Sequence, residues 1–224
     1  ALSVGGTTTL NAGANAITLA DVANNFTGAV SLQTTGANNI SIADANAINL
    51  GTVNAGADLT VVAGSHVTDS GVLTVAGNLA VTSTAGNVAL DTANAAFTAA
   101  GTNTFSGTIA LTVAAGADVT LVDTTAVALP ALNVNSLTVT SGGAITQTGD
   151  LTVAGLGNFK TRNDVGAAVT LANAGNALGS VGAQVRSADD SADRTATINL
   201  AETGGTVIAG LRTVGNLVLA TNAG

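Results

Sequence analysis

The feature that most restricts the fold of this chain is a long internal repeat. Residues 24–32, NNFTGAVSL, match residues 103–111, NTFSGTIAL, and the offset of 79 carries Ile40, Ile42, Asp44, Ile48 and Leu50 onto Val119, Leu121, Asp123, Val127 and Leu129. After a one-residue deletion Leu59-Thr60-Val61 meets Leu137-Thr138-Val139, and the pentapeptide LTVAG at Leu73 returns at Leu151. A third copy starts at Leu171, with Leu178 in the place of Phe26. Beyond a six-residue jump, Ile198, Leu200, Glu202, Ile208, Leu217 and Leu219 fall on Ile40, Ile42, Asp44, Leu50, Leu59 and Val61. Self-similarity of this kind marks a solenoid, in which no unit buries its own apolar face and stacking supplies the core.

The local pattern says which kind of solenoid. Short segments at 16–19, 29–32, 40–42, 48–50, 59–61, 73–75, 79–81 and 88–90 each place two apolar side chains around one small or polar residue. That alternation gives a strand with one face inward and one outward. Charged helix formers are scarce and no segment keeps a 3.6-residue period. The expected fold is all-β, a parallel β-helix (β-solenoid) of roughly 20–30 residues per coil and about 8–11 coils. Asn and Thr at segment ends are expected to stack on like residues in neighbouring coils, and Gly to supply corners of positive φ. The repeat copies run over about 16–86, 87–158 and 159–224, the last incomplete. The whole of 1–224 reads as a single solenoid segment, an excerpt of a longer repetitive chain.

Composition agrees with identical stacked layers. Trp and Tyr are absent and there are four Phe, so the apolar mass is Ala, Val, Leu and Ile, whereas irregular globular cores use aromatics to fill volume. Residues 1–159 contain no Lys or Arg and the net charge is −8. Nucleic acid, heparin and anionic lipid are therefore expected to be poor partners, and no nucleic-acid partner is expected, since phosphate neutralisation needs a dense basic patch. Without cysteine there is no disulfide framework or thiolate metal site. Membrane insertion is not expected either: no run approaches the roughly 20 apolar residues of a spanning helix, and the aromatic girdles of a membrane barrel are missing.

The phrases NNFTGAVSL, SIADANAINLG, SGGAITQTGDLTVAG and SHVTDSGVLTVAG resemble the repeats of the filamentous-haemagglutinin-like large exoproteins, the secreted adhesin passengers of Gram-negative bacteria. The resemblance spans about 16–220. It implies a right-handed parallel β-helix, passage through an outer-membrane partner pore, and display outside the cell or on its surface in adhesion or biofilm. The partners it implies are a glycan or protein of a host or neighbouring cell; open solenoid ends add a further one, copies of the chain itself stacked end to end.

Few residues are candidates for chemistry. His66 is the only histidine and aligns with Ala144, so a surface or corner role is expected. The most polar stretch, RSADDSADR at 186–194, lies in the inserted material of the third copy and is expected to protrude as a loop. Its residues Arg186, Asp189, Asp190, Asp193 and Arg194 are the candidate partner-contact loop. Asp189, Asp190 and Asp193 are also the candidates for a calcium site, since hard cations take several oxygens from a flexible loop; no other cofactor is expected. Asp44, Asp123 and Glu202 share one repeat position, where a turn carboxylate accepting backbone N–H groups is expected in preference to a stacked cation site.

Parallel β-helices also carry polysaccharide lyases and hydrolases, which need paired carboxylates or a base beside bound acids. The eight Asp of residues 1–159 are scattered and have no cation beside them, so no catalytic residue is assigned. An ice-binding face would need Thr at one position of every coil, and the outward residue here varies among Thr, Ser, Ala and Asn. The function expected is a non-catalytic structural or adhesive segment of a secreted or cell-surface bacterial fibre, a rigid stalk or adhesin. The alternative is a filament subunit stacking end to end.

Overall fold

The structure, a computed structural model, describes residues 1–222, and among them there are strands, turns and bends but no helix. The strands form parallel ladders stacked as a β-solenoid of about ten turns. Two compact units are present: Ala1–Ala93 with Ala99–Ala114, and Asn94–Thr98 with the chain from Ala115 onward. All eight alternating segments read from the sequence are strands, for example Ile40–Asp44, Leu59–Ala63 and Leu79–Ser83.

In the first unit the inward residues of successive coils stack into columns. Ile17, Ile40, Leu59, Leu79 and Ile109 follow one another in register, and beside them run Leu19, Ile42, Val61, Val81 and Leu111. Ile40, Leu59 and Leu79 are at most 1% exposed. Burying each such side chain contributes about 1.5–3 kcal/mol, and the parallel register makes the contribution recur with every coil.

The same columns in the second unit show how the sequence handles a volume change. Val119, Leu137, Gly157 and Val181 are partners in one column, and Leu121, Val139, Phe159 and Ala183 in the next. Where Leu137 gives way to Gly157, Val139 gives way to Phe159. A Cβ on Gly157 would lie 3.0 Å from Phe159 Cε2, so the ring occupies the space the leucine vacates. Phe159 is fully buried.

The corners differ from expectation in two ways. Asn39 Oδ1 accepts the N–H of Asp58, Asp58 Oδ1 that of Asn78, and Asn78 Oδ1 that of Thr108, at 3.1, 2.7 and 3.0 Å. These residues each stand one position before a strand, so the polar ladder at this corner is built mainly from side chain to backbone, with Thr108 Oγ1 also donating to Asn78 Oδ1 at 2.8 Å. Like side chains do not pair there, because a carbonyl or carboxylate oxygen reaches the unpaired N–H at the next strand start first. Second, positive φ accounts for only some glycines. Gly13, Gly36, Gly116, Gly166 and Gly204 have it, whereas Gly64 and Gly142, at one repeat position, are required by close approach. A Cβ on either would lie 2.0 Å from a carbonyl oxygen of the coil before, that of Ala45 or Thr124.

Within the second unit the long repeat and the coil are out of phase. Val119 and Ile198 are equivalent in sequence, yet three coils carry the ladder from Val119 through Leu137 and Gly157 to Val181. Ile198 stands on the following sheet, beside Val169. One repeat is three coils and one further face. Local pairing survives this rotation: Ile40↔Leu59, Val119↔Leu137 and Ile198↔Leu217 are the same strand pair in the three copies.

Candidate functional site

The loop 186–194 leaves the strand Ala177–Arg186 and returns through a single antiparallel bridge between Arg186 and Asp193. Ser187 N donates to Ala192 O at 2.8 Å and Asp190 N to Ser187 O at 2.9 Å, with Asp190 at φ 63°. The loop does not extend freely into solvent as its polarity predicts. Arg186 and Ser187 are buried, and of the rest only Asp189 and Ser191 are exposed.

Cations from neighbouring coils explain why it folds back. Arg186 Nε donates to Asp190 Oδ1 at 2.7 Å, Arg186 Nη1 donates to Asp193, and Lys160 Nζ reaches Asp190 Oδ2 at 2.8 Å. Arg212 Nε lies 3.3 Å from Asp193 Oδ1. Arg194 turns outward from these, its Nε donating to Asp164 O at 3.0 Å. The fifth basic residue, Arg162, stacks over Phe97 with 4.7 Å to the ring centroid and donates to Ala95 O at 2.8 Å.

The electrostatics follow from these partners. Hydrogen bonds from the Ser187 and Ser191 hydroxyls hold the Asp189 carboxyl far below the usual carboxylate range. Burial pushes Asp190 up, but hydrogen bonds from Lys160 and Arg186 outweigh it and its pKa is lowered. Asp193 is lowered chiefly by Arg186. Asp190 and Asp193 in turn hold the Arg186 guanidinium more firmly protonated. Of the three acids named as calcium candidates, Asp190 and Asp193 share the Arg186 guanidinium, and Asp189 is held by the Ser187 and Ser191 hydroxyls. Among the described residues no group of three His, Cys, Asp or Glu is arranged to hold a metal ion.

The other singled-out residues fall at corners. His66 is exposed, and its Nδ1 accepts the N–H of Asn87 at 2.9 Å. Asp44 accepts from Phe26 N and Asn46 N, and Asp123 from Thr125 N at 2.9 Å. Glu202, at the same repeat position, breaks this pattern. It is 4% exposed, and neither carboxylate oxygen has a hydrogen-bond partner. It lines a cavity of about 310 Å³ with Leu178, Leu200, Ile208, Leu219 and Thr206, and the Thr206 hydroxyl is also buried without a partner.

Sequence reasoning missed this cavity and the arrival of Lys160 and Arg212 at the loop. The one available signal for the first was the extra methylene that Glu202 carries over Asp44 and Asp123. For the second it was that Lys160, Gln184 and Arg212 follow one another at coil-length spacing, as the ladder then shows.

No curated protein and no solved structure matches the chain. A family model does, at residues 1–33, 37–112 and 116–184. Its second and third matches begin at 37 and 116, 79 residues apart, the offset at which the sequence repeats. With a match over most of its length, the chain belongs to the family described as repeats of unknown function (DUF5649).

Proposed function

We propose that this chain is a non-catalytic structural segment of a secreted or cell-surface bacterial fibre protein, akin to the filamentous-haemagglutinin-like exoproteins, and serves as a rigid stalk or adhesive shaft. The observation that carries this reading is the use made of the polar groups. Asp44, Asp58 and Asp123 accept backbone N–H groups at the corners, and Asp190 and Asp193 are engaged by Arg186. Carboxylates spent in this way hold backbone and loop together, which is the use a structural segment makes of them. Apolar columns repeated at every coil suit a shaft, whose task is length and stiffness.

The purified chain, fluorescently labelled, is to be tested for saturable binding to epithelial cells and arrayed glycans, and for turnover of acidic polysaccharides. Saturable binding identifies an adhesin, and its absence together with no turnover identifies a stalk. Release of unsaturated or reducing ends from a polysaccharide refutes the reading.

A further inference from the structure

We propose that a groove on the outer face of the strands Thr8–Asn11, Val30–Gln33 and Ile48–Ala55 is a binding site for a neutral glycan. The inference rests on the adhesive form of the reading above and adds the site and the class of its ligand.

A bulge makes the groove. Val30 pairs with Leu50 and Leu32 with Val53, so Gly51 and Thr52 together stand opposite Ser31. An extra residue of this kind bends its strand and re-aims the side chains beside it. Gly51 is required there, because a Cβ on it would lie 2.3 Å from Ser31 Oγ. That oxygen accepts the N–H of Thr52 at 3.2 Å, which fixes the hydroxyl in the floor of the groove. The concavity holds about 350 Å³, within the range of small-ligand pockets. Its central residues Ser31, Gln33, Thr52 and Asn54 sit on strands paired on both sides, so the groove does not owe its shape to an open sheet edge.

The lining selects the ligand. Thr9, Ser31 and Thr52 bring hydroxyls, Asn11, Gln33 and Asn54 bring carboxamides, and Leu10 and Leu32 complete it. None is charged, so an anion or a cation finds no counter-charge. Each hydroxyl and carboxamide both donates and accepts, and so does each hydroxyl of a sugar. A peptide that adds itself as a strand needs a free edge, which these two inner strands do not offer. Asn11 is already oriented, its Nδ2 donating to Gln33 Oε1 at 3.3 Å and its Oδ1 accepting the N–H of Gly13 at 3.0 Å. Gln33 Nε2, the Asn54 carboxamide and the hydroxyls of Thr9 and Thr52 are exposed and have no hydrogen-bond partner among the described residues. Where the corner residues spend their polar groups on backbone, these keep theirs for a ligand.

The repeat supports this independently. At the offset of 79, Ser31, Gln33 and Thr52 correspond to Ala110, Thr112 and Ala131, and of the central four only Asn54 is kept, as Asn133. The inward neighbours Val30, Leu32 and Val53 correspond to Ile109, Leu111 and Leu132. The core is copied and most of the lining is not, so packing of the coils does not call for these polar groups.

The purified chain is to be titrated calorimetrically with neutral oligosaccharides of glucose, galactose, mannose and N-acetylglucosamine, with sialylated and sulfated oligosaccharides and unstructured peptides alongside. Saturable binding of a neutral oligosaccharide is expected, insensitive to added salt because no charges are paired. The double variant Gln33→Ala, Asn54→Ala alters two exposed positions. It is expected to keep its circular dichroism and melting temperature and to lose at least about tenfold in affinity. Asn133→Ala, at the equivalent position of the second copy, is expected to bind as the parent does. Binding confined to charged sugars or to peptides overturns the proposal, as does neutral-sugar binding that the double variant leaves intact. Failure of every neutral oligosaccharide to bind overturns it too, while the stalk form of the proposed function stands. Cleavage of a sugar whose affinity the double variant lowers keeps the groove as its site and refutes the non-catalytic function.

Discussion

The Asp44 carboxylate accepts the backbone N–H of Phe26 at 2.8 Å, across 18 residues, and that of Asn46 at 2.7 Å. Phe26 belongs to the most recognisable motif of the sequence, and this bond ties it to the corner of another coil. Truncation by Asp44→Ala leaves both donors without their acceptor and is expected to lower stability by about 2–4 kcal/mol. Glu202→Leu is expected to go the other way, because it replaces buried carboxyl oxygens that have no hydrogen-bond partner with an apolar side chain. Denaturant midpoints check both. An Asp44→Ala variant within about 0.5 kcal/mol of the parent would show that the corner does not depend on this carboxylate.

Glycines at the corners separate into two classes by substitution. Gly64→Ala and Gly142→Ala push a methyl to 2.0 Å from a carbonyl oxygen and are expected to cost about 1–3 kcal/mol each. A Cβ on Gly5 meets nothing within 4 Å, so Gly5→Ala is expected to be neutral or to stabilise by up to about 1 kcal/mol. Thermal unfolding of the three variants side by side is the measurement; equal effects would contradict the close-approach explanation.

Gly157 and Phe159 are expected to be coupled. Phe159→Val alone opens a void and Gly157→Leu alone overpacks, each costing on the order of 1–3 kcal/mol. The double variant recreates the Leu137, Val139 arrangement one coil away and is expected to cost less than the sum by about 1 kcal/mol or more. Additive costs in a double-mutant cycle would mean that the ring does not fill the leucine's space.

Acid acts on the loop 186–194 with a definite sign. Asp189, Asp190 and Asp193 have folded pKa values below the ordinary 3.8. Their contribution is therefore complete above that value and is lost as pH falls through the lowered ones. Asp69 behaves oppositely: burial raises its pKa against hydrogen bonds from Asn103, Asp91 and Thr92, so protonating it favours the folded state. Melting temperatures of the parent and Arg186→Met are expected to differ at neutral pH and to converge only as pH falls below 3.8 and on through the lowered values. A constant gap would remove the ion pairs as its cause.

Chelation gives a separate check on the same loop. Arg186, Lys160 and Arg212 already engage Asp190 and Asp193, so EDTA is expected to leave the melting temperature unchanged. A fall on chelation, reversed by calcium, would mean that these carboxylates serve a cation instead.

The strands and their stacking were legible because alternation and repeat carry the same message at two scales. Ile40-Ser41-Ile42 and Leu59-Thr60-Val61 each declare an inward face, and the recurrence of both at Val119 and Leu137 declares that the pair stacks. Coil length was not legible, since a corner can absorb residues without disturbing a column. Val127 and Ile145 are partners 18 residues apart, whereas Leu79 and Ile109 are 30 apart. For that reason the meeting of Lys160 with Asp190 could not be placed from spacing alone. The separation between Asp44 and Glu202 was hidden by their shared repeat position, because similar chemistry on a longer side chain puts the oxygens elsewhere.

The phase difference between repeat and coil bears on valency. Val119 and Ile198 occupy one sequence position but different sheets, so any recognition feature copied with the repeat looks out in a new direction in the next copy. A flat receptor surface can engage only one of two such copies, and simultaneous engagement, with the gain in avidity it brings, is denied to it. Under the adhesive reading proposed above, copies of such a feature would recruit separate partner molecules, raising the number bound without tightening the hold on any one of them.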